Sequence, residues 1–206
     1  MNIHEKMQLN LRIEGFFGWL LFNFKDHENK MFTKKSIFAD VPCAIEVECM
    51  DTSVPNRLEQ RHELLKDNQF PCISWKLGDS LAADIKTFAI IVQDIDLPLP
   101  FVALHGCFFN ISAEKRAFNE EDIIAIREKN SNVKYIKNIL GTIYEGPRPL
   151  MNHGDHRYVY QIIGLKTPLD VSSEAKFEVF ENSFLENILA YGSWTGAYKR
   201  ENQLLE

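Results

Sequence analysis

Five short apolar runs divide the chain beyond residue 30, and each is only four to six residues long. Stretches rich in Pro, Gly, Asp and Asn separate these runs, which therefore predict β-strands rather than helices. The run Phe88–Val92 is apolar at every position, as is typical of a central strand buried on both faces. The other runs are Ala44–Val47, Cys72–Trp75, Cys107–Ile111 and Tyr158–Ile163. The sequence thus predicts a mainly β fold.

Two segments carry helical signals. Asn119 can cap a helix that runs through Ile126, and the acidic first turn of that helix suits the helix dipole. A second helix is predicted near the C-terminus, where Gly192 would end it. Its helically spaced apolar positions are Phe180, Phe184, Leu185, Ile188 and Leu189.

Residues 1–30 form an aromatic amphipathic segment, and residues 31–206 form one domain in this interpretation. The apolar run Gly15–Phe24 is about half as long as the roughly 20 residues that span a bilayer. We expect a short helix that packs its aromatic face on the same chain or on a second copy, and the second arrangement would make the protein a homodimer. An interfacial membrane anchor is the alternative, but the charges that follow the run are of mixed sign.

Composition narrows the classes of function. The formal net charge of −6 argues against nucleic acid as a partner, because phosphate backbones attract clustered Lys and Arg. The cysteines Cys43, Cys49, Cys72 and Cys107 show no paired C-x-x-C spacing. They indicate reduced thiols in a cytoplasmic protein.

Two polar elements follow the central strand. The turn Gln93–Pro100 carries Asp94 and Asp96, which point to the same side if the chain stays extended. His105 interrupts the next strand, and Gly106 leaves space beside its imidazole for another backbone or a ligand. Taken alone, the acidic turn also fits self-capping, and the histidine also fits a hydrogen-bonded core group.

A third polar element is the loop from Gly146 to Asp155, which leads into the strand-like run His156–Tyr160. Its prolines and glycines fix an irregular conformation. Loops of this kind on a rigid scaffold present the polar groups that hold small anions. We therefore place the candidate functional site here.

The order of these elements resembles that of the phosphatidylethanolamine-binding protein family, in its bacterial Raf-kinase-inhibitor-like branch. The matching motifs are Asp-x-Asp-x-Pro at 94–98, a strand His at 105, Gly-Pro-x-Pro at 146–149 and Gly-x-His-Arg-Tyr-Val at 154–159. Ile73-Ser74-Trp75 is similar to a strand motif of the family, and residues 190–200 are similar to its C-terminal motif. The resemblance covers roughly residues 35–200.

The resemblance implies an antiparallel Greek-key-type β-sandwich with a few flanking helices and a small anion pocket at one end. The ligand-binding residues that it implies are Asp94, His105, Gly146, Pro147, His156 and Tyr158. Imidazole, phenol and free loop amides are suitable donors to an anion, and the aspartates would orient the histidines. The supporting positions would be Asp96, Pro98, Asp155 and Arg157. Arg157 alternates with Tyr158 and should face away, in an ion pair.

Three positions depart from the family pattern. Ile95 replaces a proline in the acidic turn, which removes one backbone constraint. Gly106 replaces an aromatic residue, so a wider pocket wall is expected. Asp155 replaces a proline and adds a negative charge, which would either weaken phosphate binding or favour a zwitterionic headgroup whose ammonium it meets.

The leading function is binding, without catalysis, cofactor or metal. The ligand would be phosphate, a carboxylate or a phosphorylethanolamine-like headgroup, and the resemblance implies that the protein modulates a kinase or protease. One alternative is a hydrolytic or metal-dependent enzyme that uses Asp94, Asp96, His105, His153 and His156. The other is an interaction protein with a vestigial pocket.

Overall fold

The apolar runs form the strands of two antiparallel sheets in a computed structural model, which describes residues 3–200. The strands are β1 (Glu46–Cys49), β2 (Ile73–Lys76), β3 (Thr87–Asp94), β4 (Ala103–Ser112), β5 (Ala117–Phe118), β6 (Lys134–Tyr135), β7 (His156–Leu165) and β8 (Ile188–Tyr198). The helices are α1 (Ile3–Leu20), α2 (Asp79–Asp84), α3 (Glu120–Arg127) and α4 (Phe177–Asn182). The mainly β prediction is confirmed.

β3 lies at the centre of the larger sheet, whose strand order is β6-β4-β3-β7-β8, and all of its residues are buried. Alternate side chains of β3 enter two different apolar clusters. Phe88 packs on Trp75 of the smaller sheet, whose order is β1-β2-β5, with 5.3 Å between ring centroids. Ile91 faces the other way, into a cluster with Phe32 and Phe180. Both faces of the larger sheet are therefore covered, and its polar residues concentrate where β3 ends.

The two helix predictions had different outcomes. Asn119 caps α3 as predicted, because its side chain accepts hydrogen bonds from the backbone of Glu121 and Asp122. A helix that includes Phe180 forms near the C-terminus, but its predicted extent is wrong, since α4 ends at Asn182 and Gly192 lies inside β8. A Cβ at Gly192 would stand 1.8 Å from the Ile45 carbonyl oxygen. The glycine therefore permits close backbone approach instead of ending a helix.

Helix α1 contacts the rest of the chain through its glycines and an ion pair between Glu14 and Arg200, not through its aromatic rings. A Cβ at Gly18 would stand 1.9 Å from the Met151 carbonyl oxygen. The aromatic face points outward, and Trp19 is 67% exposed. Other exposed apolar residues here are Ile13, Phe16, Phe17, Leu20, Phe22 and Phe24. The expectation that this face packs on its own chain is thus wrong, because so close a backbone contact excludes side chains.

No helix within residues 3–200 is both long enough and apolar enough to cross a membrane.

Packing of the aromatic face across a homodimer remains a prediction. The double substitution Phe16→Ser with Phe17→Ser should convert the expected dimer into a monomer, measured by light scattering after size exclusion. Burial of each ring contributes about 2 kcal/mol to association. Leu140→Ser is a matched control, because Leu140 is exposed in a different loop. A monomeric unsubstituted protein would contradict this prediction.

Candidate functional site

Four of the predicted site residues meet at one end of the larger sheet. Asp94 ends β3 opposite Tyr158 of β7, and His156 begins β7 on the same side as Tyr158. Asp94 Oδ2 lies 2.8 Å from His156 Nδ1. The ring of His105, from β4, lies 5.1 Å from that of Tyr158. Asp94, His156 and Tyr158 are buried, whereas His105 is partly exposed to solvent.

A backbone contact fixes the tautomer of His105. Its Nδ1 lies 2.8 Å from the carbonyl oxygen of Glu145, which can only accept, so Nδ1 carries the proton. The Glu145 amide donates in return to the His105 carbonyl at 2.9 Å. Nε2 therefore bears a lone pair while the ring is neutral, and it has no hydrogen-bonding partner among the described residues. Protonation would turn Nε2 into a donor.

The hydroxyl of Tyr158 is buried without a hydrogen bond of normal geometry, although it lies near the Asp94 carboxylate and the Arg148 backbone. Burial raises the pKa of Tyr158 well above its usual value, and the charge of Asp94 raises it further. The phenol therefore keeps its proton. It remains a hydrogen-bond donor.

A chain of hydrogen bonds leads from Asp94 to the N-terminal segment. His156 Nε2 lies 2.6 Å from His153 Nδ1, and His153 Nε2 lies 2.8 Å from the Leu21 carbonyl oxygen. Each of the three contacts in the chain needs one proton, whereas two neutral imidazoles and an ionised carboxylate hold only two. The chain therefore carries one extra proton. Because the Leu21 carbonyl can only accept, His153 donates from Nε2 and His156 donates from Nε2 to His153 Nδ1. The extra proton then lies between His156 Nδ1 and Asp94.

His153 is the neutral member of this chain. Burial lowers its pKa, and the charges of His156 and Lys25 lower it further, against the opposing effects of Asp94 and the Leu21 carbonyl. A neutral His153 that donates from Nε2 must accept at Nδ1. Electrostatics and hydrogen bonding thus agree on its tautomer.

The predicted loop residues Gly146 and Pro147 are buried against the segment that precedes β2. The Gly146 amide donates to Asn68 Oδ1 at 2.7 Å, and the Pro147 carbonyl accepts from the Leu64 amide at 3.0 Å. A Cβ at Gly146 would stand 1.9 Å from the His62 carbonyl oxygen. The expected free amides are therefore not offered by these two residues, because one amide is occupied and proline has none.

Asp96 does not join the histidines. Its Oδ2 accepts from Arg157 Nε at 2.8 Å, and its Oδ1 accepts from the Asp26 amide at 2.9 Å. Burial acts to raise the pKa of Asp96, but the hydrogen bonds and charge of Arg157 lower it overall. The prediction that both aspartates converge is wrong, because β3 ends at Asp94 and the Asp96 amide turns back to Asp94 Oδ1 at 2.8 Å. Arg157 points away from the histidines, as alternation along β7 predicts.

The other supporting positions lie around the site without reaching its centre. Asp155 is exposed and pairs with Arg57 at 2.7 Å, so its charge is directed there. Ile95 is buried with Val159 in a small apolar cluster. Pro98 is partly buried in the loop between β3 and β4.

The space expected beside Gly106 is filled. The residue is buried and bridges to Tyr144, and a Cβ there would stand 2.9 Å from the Phe108 ring and 3.1 Å from the Tyr144 ring. Two rings from elsewhere thus occupy the place of the missing aromatic side chain.

Two residues near the site lie outside the implied ligand set. His153 entered only the enzyme alternative, although the positive φ of Gly154 and the three-residue spacing to His156 fold it back onto that ring. Arg148 is exposed within the loop from Gly146 to Asp155 and forms no ion pair with a described residue. The sequence signal that could have identified Arg148 is its position within the Gly-Pro-Arg-Pro motif. Within residues 3–200, no group of His, Cys, Asp and Glu has the arrangement of a metal site.

The fold and the site define an antiparallel β protein with a buried Asp–His pair and a more exposed histidine at one end of its main sheet. Residues 51–199 match the family model described as phosphatidylethanolamine-binding protein. The chain belongs to this family, as the sequence resemblance implied.

Relatives and solved structures agree with this assignment. Phomoidride biosynthesis cluster protein B of Talaromyces stipitatus is 24% identical over 92% of this chain and 82% of its own length. A UPF0098 protein of Methanothermobacter thermautotrophicus is 30% identical over 70% of this chain and 91% of its own length. The crystal structure of E. coli YbcL, titled a member of the mammalian PEBP family, has a TM-score of 0.64 at 20% identity and covers 76% of this chain and 99% of that one. A PEBP homologue from Chlamydia trachomatis has a TM-score of 0.62 at 17% identity, covering 77% and 99%.

Proposed function

We propose that this protein binds a small oxyanion between His105 and Tyr158 at the end of the main sheet. The ligand is phosphate, a carboxylate or the phosphate of a phospholipid headgroup. One observation carries the proposal: the buried Tyr158 hydroxyl has no hydrogen bond of normal geometry within the protein, and it lies beside an imidazole whose Nε2 is unpartnered. Buried polar groups such as the Tyr158 hydroxyl normally have partners, and an oxyanion would accept from this hydroxyl and from Nε2 of a protonated His105. Membership of the family supports a binding role in general.

The residues of the proposed site have two roles: some donate hydrogen bonds to the anion, and others hold neighbouring groups in place. Tyr158 and protonated His105 donate to the anion, and the exposed guanidinium of Arg148 attracts it. His156 cannot donate to the ligand, since both of its ring nitrogens are used. Its role is to hold a proton against Asp94, which reduces the repulsion between that carboxylate and the bound anion.

Binding is favoured over catalysis because, among the described residues, no hydroxyl or thiol is hydrogen-bonded to an imidazole. We place the protein in the cytoplasm, supported by four cysteines that are all free thiols. Modulation of a kinase or protease by the loaded protein belongs to the same proposal.

The test is calorimetric titration with phosphate and phosphorylethanolamine. Tyr158→Phe should lower the affinity for either probe about tenfold, because it removes a hydrogen bond to a charged group. It should change the free energy of unfolding little, because the free protein loses no hydrogen bond of normal geometry. Most substitutions of a buried polar side chain change both the ligand affinity and the free energy of unfolding, so this combination is diagnostic.

Tyr160→Phe is the matched control, since its buried hydroxyl contacts Tyr144 at 3.4 Å instead of facing the site. It should leave both affinities unchanged. Tighter binding of phosphorylethanolamine than of phosphate would favour a headgroup over the free ion. Failure of the unsubstituted protein to bind either probe would refute the proposal and favour a vestigial pocket.

A further inference from the structure

The segment that follows α1 reaches the candidate site at His153, through the Leu21 carbonyl and the ring of Phe22. Leu21 directly follows α1. Its carbonyl oxygen accepts a hydrogen bond from His153, which lies 132 positions further along the chain. Leu21 precedes the residues 51–199 that match the family model, so this contact is not part of the matched region. It is nevertheless the last link of the chain that ends at Asp94.

We propose that His153 is a positioning residue that couples docking of the N-terminal helix to ligand binding at His105 and Tyr158. The Leu21 carbonyl holds the His153 proton on Nε2 and leaves Nδ1 to accept from His156. His156 must then share its remaining proton with Asp94. This inference rests on the proposed function for its ligand, but the proton arrangement can be tested without one.

Close backbone contacts determine where the Leu21 carbonyl lies. Gly18 sits against the Met151 carbonyl, where no Cβ fits, and Asn152 Nδ2 donates to the Gly15 carbonyl at 3.4 Å. One turn earlier, Glu14 forms an ion pair with Arg200, whose Nε also lies 3.3 Å from Glu63. A side chain at position 18 would therefore lift the end of α1 without touching a proposed ligand-binding residue.

Undocking of α1 should weaken anion binding through the tautomer of His153. Without the Leu21 acceptor, His153 can carry its proton on Nδ1, where it meets the N–H of His156. His156 then gives up its Nε2 proton and becomes neutral; it still donates from Nδ1 to Asp94, but its positive charge no longer offsets that carboxylate near the anion. By linkage, a bound anion should in turn tighten the docked helix to the same extent.

Acid should release the helix. The groups that face His153 are Lys25 from the N-terminal segment, His156 from β7 and Asp94 from β3, and the hydroxyl of Tyr158 faces Asp94. Burial lowers the pKa of docked His153, so the undocked imidazole binds a proton more readily. Docking therefore loses stability as the pH falls below about 6.5, the usual imidazole value. The second proton would occupy Nδ1 and break the contact with His156.

The first experiment uses Gly18→Ala in the full chain, with Gly78→Ala as control because a Cβ at Gly78 meets nothing within 4 Å. Amide hydrogen exchange over residues 15–22 reports docking, imidazole ¹⁵N shifts report the protons on His153 and His156, and calorimetry with phosphate reports binding. Gly18→Ala should accelerate exchange, change the His156 shifts and lower phosphate affinity about fivefold or more. Gly78→Ala should change none of the three.

A second pair of variants covers the case in which Gly18→Ala fails to fold. The amide of His153→Gln can donate to Leu21 and accept from His156, so it should retain phosphate affinity and lose the acid-induced exchange. His153→Leu can do neither and should lower the affinity. Unchanged His156 shifts in Gly18→Ala and His153→Leu would overturn the positioning role. Changed shifts with unchanged phosphate affinity would overturn the coupling. If the unsubstituted protein binds no phosphate, the proposed function fails, and the shifts alone still decide the proton arrangement.

Discussion

Replacing Asp94 by Asn is expected to lower the free energy of unfolding by about 3 kcal/mol, the typical effect of breaking a buried charge pair. One Asp94 oxygen accepts from His156 Nδ1 and the other from the Asp96 amide, both at 2.8 Å. An asparagine has the same shape but only one oxygen. One of the two donors must then face an amide N–H₂ group, and the counter-charge of His156 is lost. Urea unfolding followed by circular dichroism measures the difference.

Asp96→Asn is the matched control, because Asp96 is an equally buried carboxylate two residues away. Its partner Arg157 is about one-third exposed, so water compensates for part of the lost interaction. We expect a loss of about 1 kcal/mol for this variant. Equal or greater destabilisation by Asp96→Asn would show that Asp94 and His156 are not a dominant pair.

Local signals in the sequence predicted most of the strands and one helix. The run Phe88–Val92 became the buried centre of the larger sheet, and Asn119 caps α3, because both depend on neighbouring residues alone. The C-terminal helix failed at Gly192 for a non-local reason. Apolar spacing there fits a helix, but pairing with β7 and close approach to Ile45 determine a strand.

The same division applies to the site. Motif order places Asp94, His105 and Tyr158 together, since each lies near a strand end. The contact between Leu21 and His153 could not be foreseen, because it depends on which face of α1 docks. The aromatic residues of that helix suggested the wrong face. The face of α1 that docks is identified only by the close backbone approach at its glycines.

The pH dependence of anion binding should come from His105. Methanesulfonate is a suitable probe because its charge is constant, and its affinity should rise as the pH falls, because only a protonated imidazole donates from both nitrogens. The sign follows from the site: a neutral His105 presents a lone pair at Nε2, and only the protonated ring presents a donor there. His156 cannot produce this effect, since both of its nitrogens are engaged within the protein.

His105→Gln should flatten that profile and retain weak binding, because the amide donates at every pH while Tyr158 and Arg148 remain in place. His27→Gln is the control, since His27 lies in the N-terminal segment and only its backbone amide contacts the loop after β3. That variant should keep the full pH dependence.

In more acidic solution, protonation of His153 opposes the gain from His105, so the unsubstituted protein should show an affinity maximum. His153→Gln should abolish the fall in affinity on the acid side of this maximum. The fall on the alkaline side should remain, because it depends on His105. A pH-independent affinity in the unsubstituted protein would instead mean that the anion is held by Tyr158 and Arg148 without a charged imidazole.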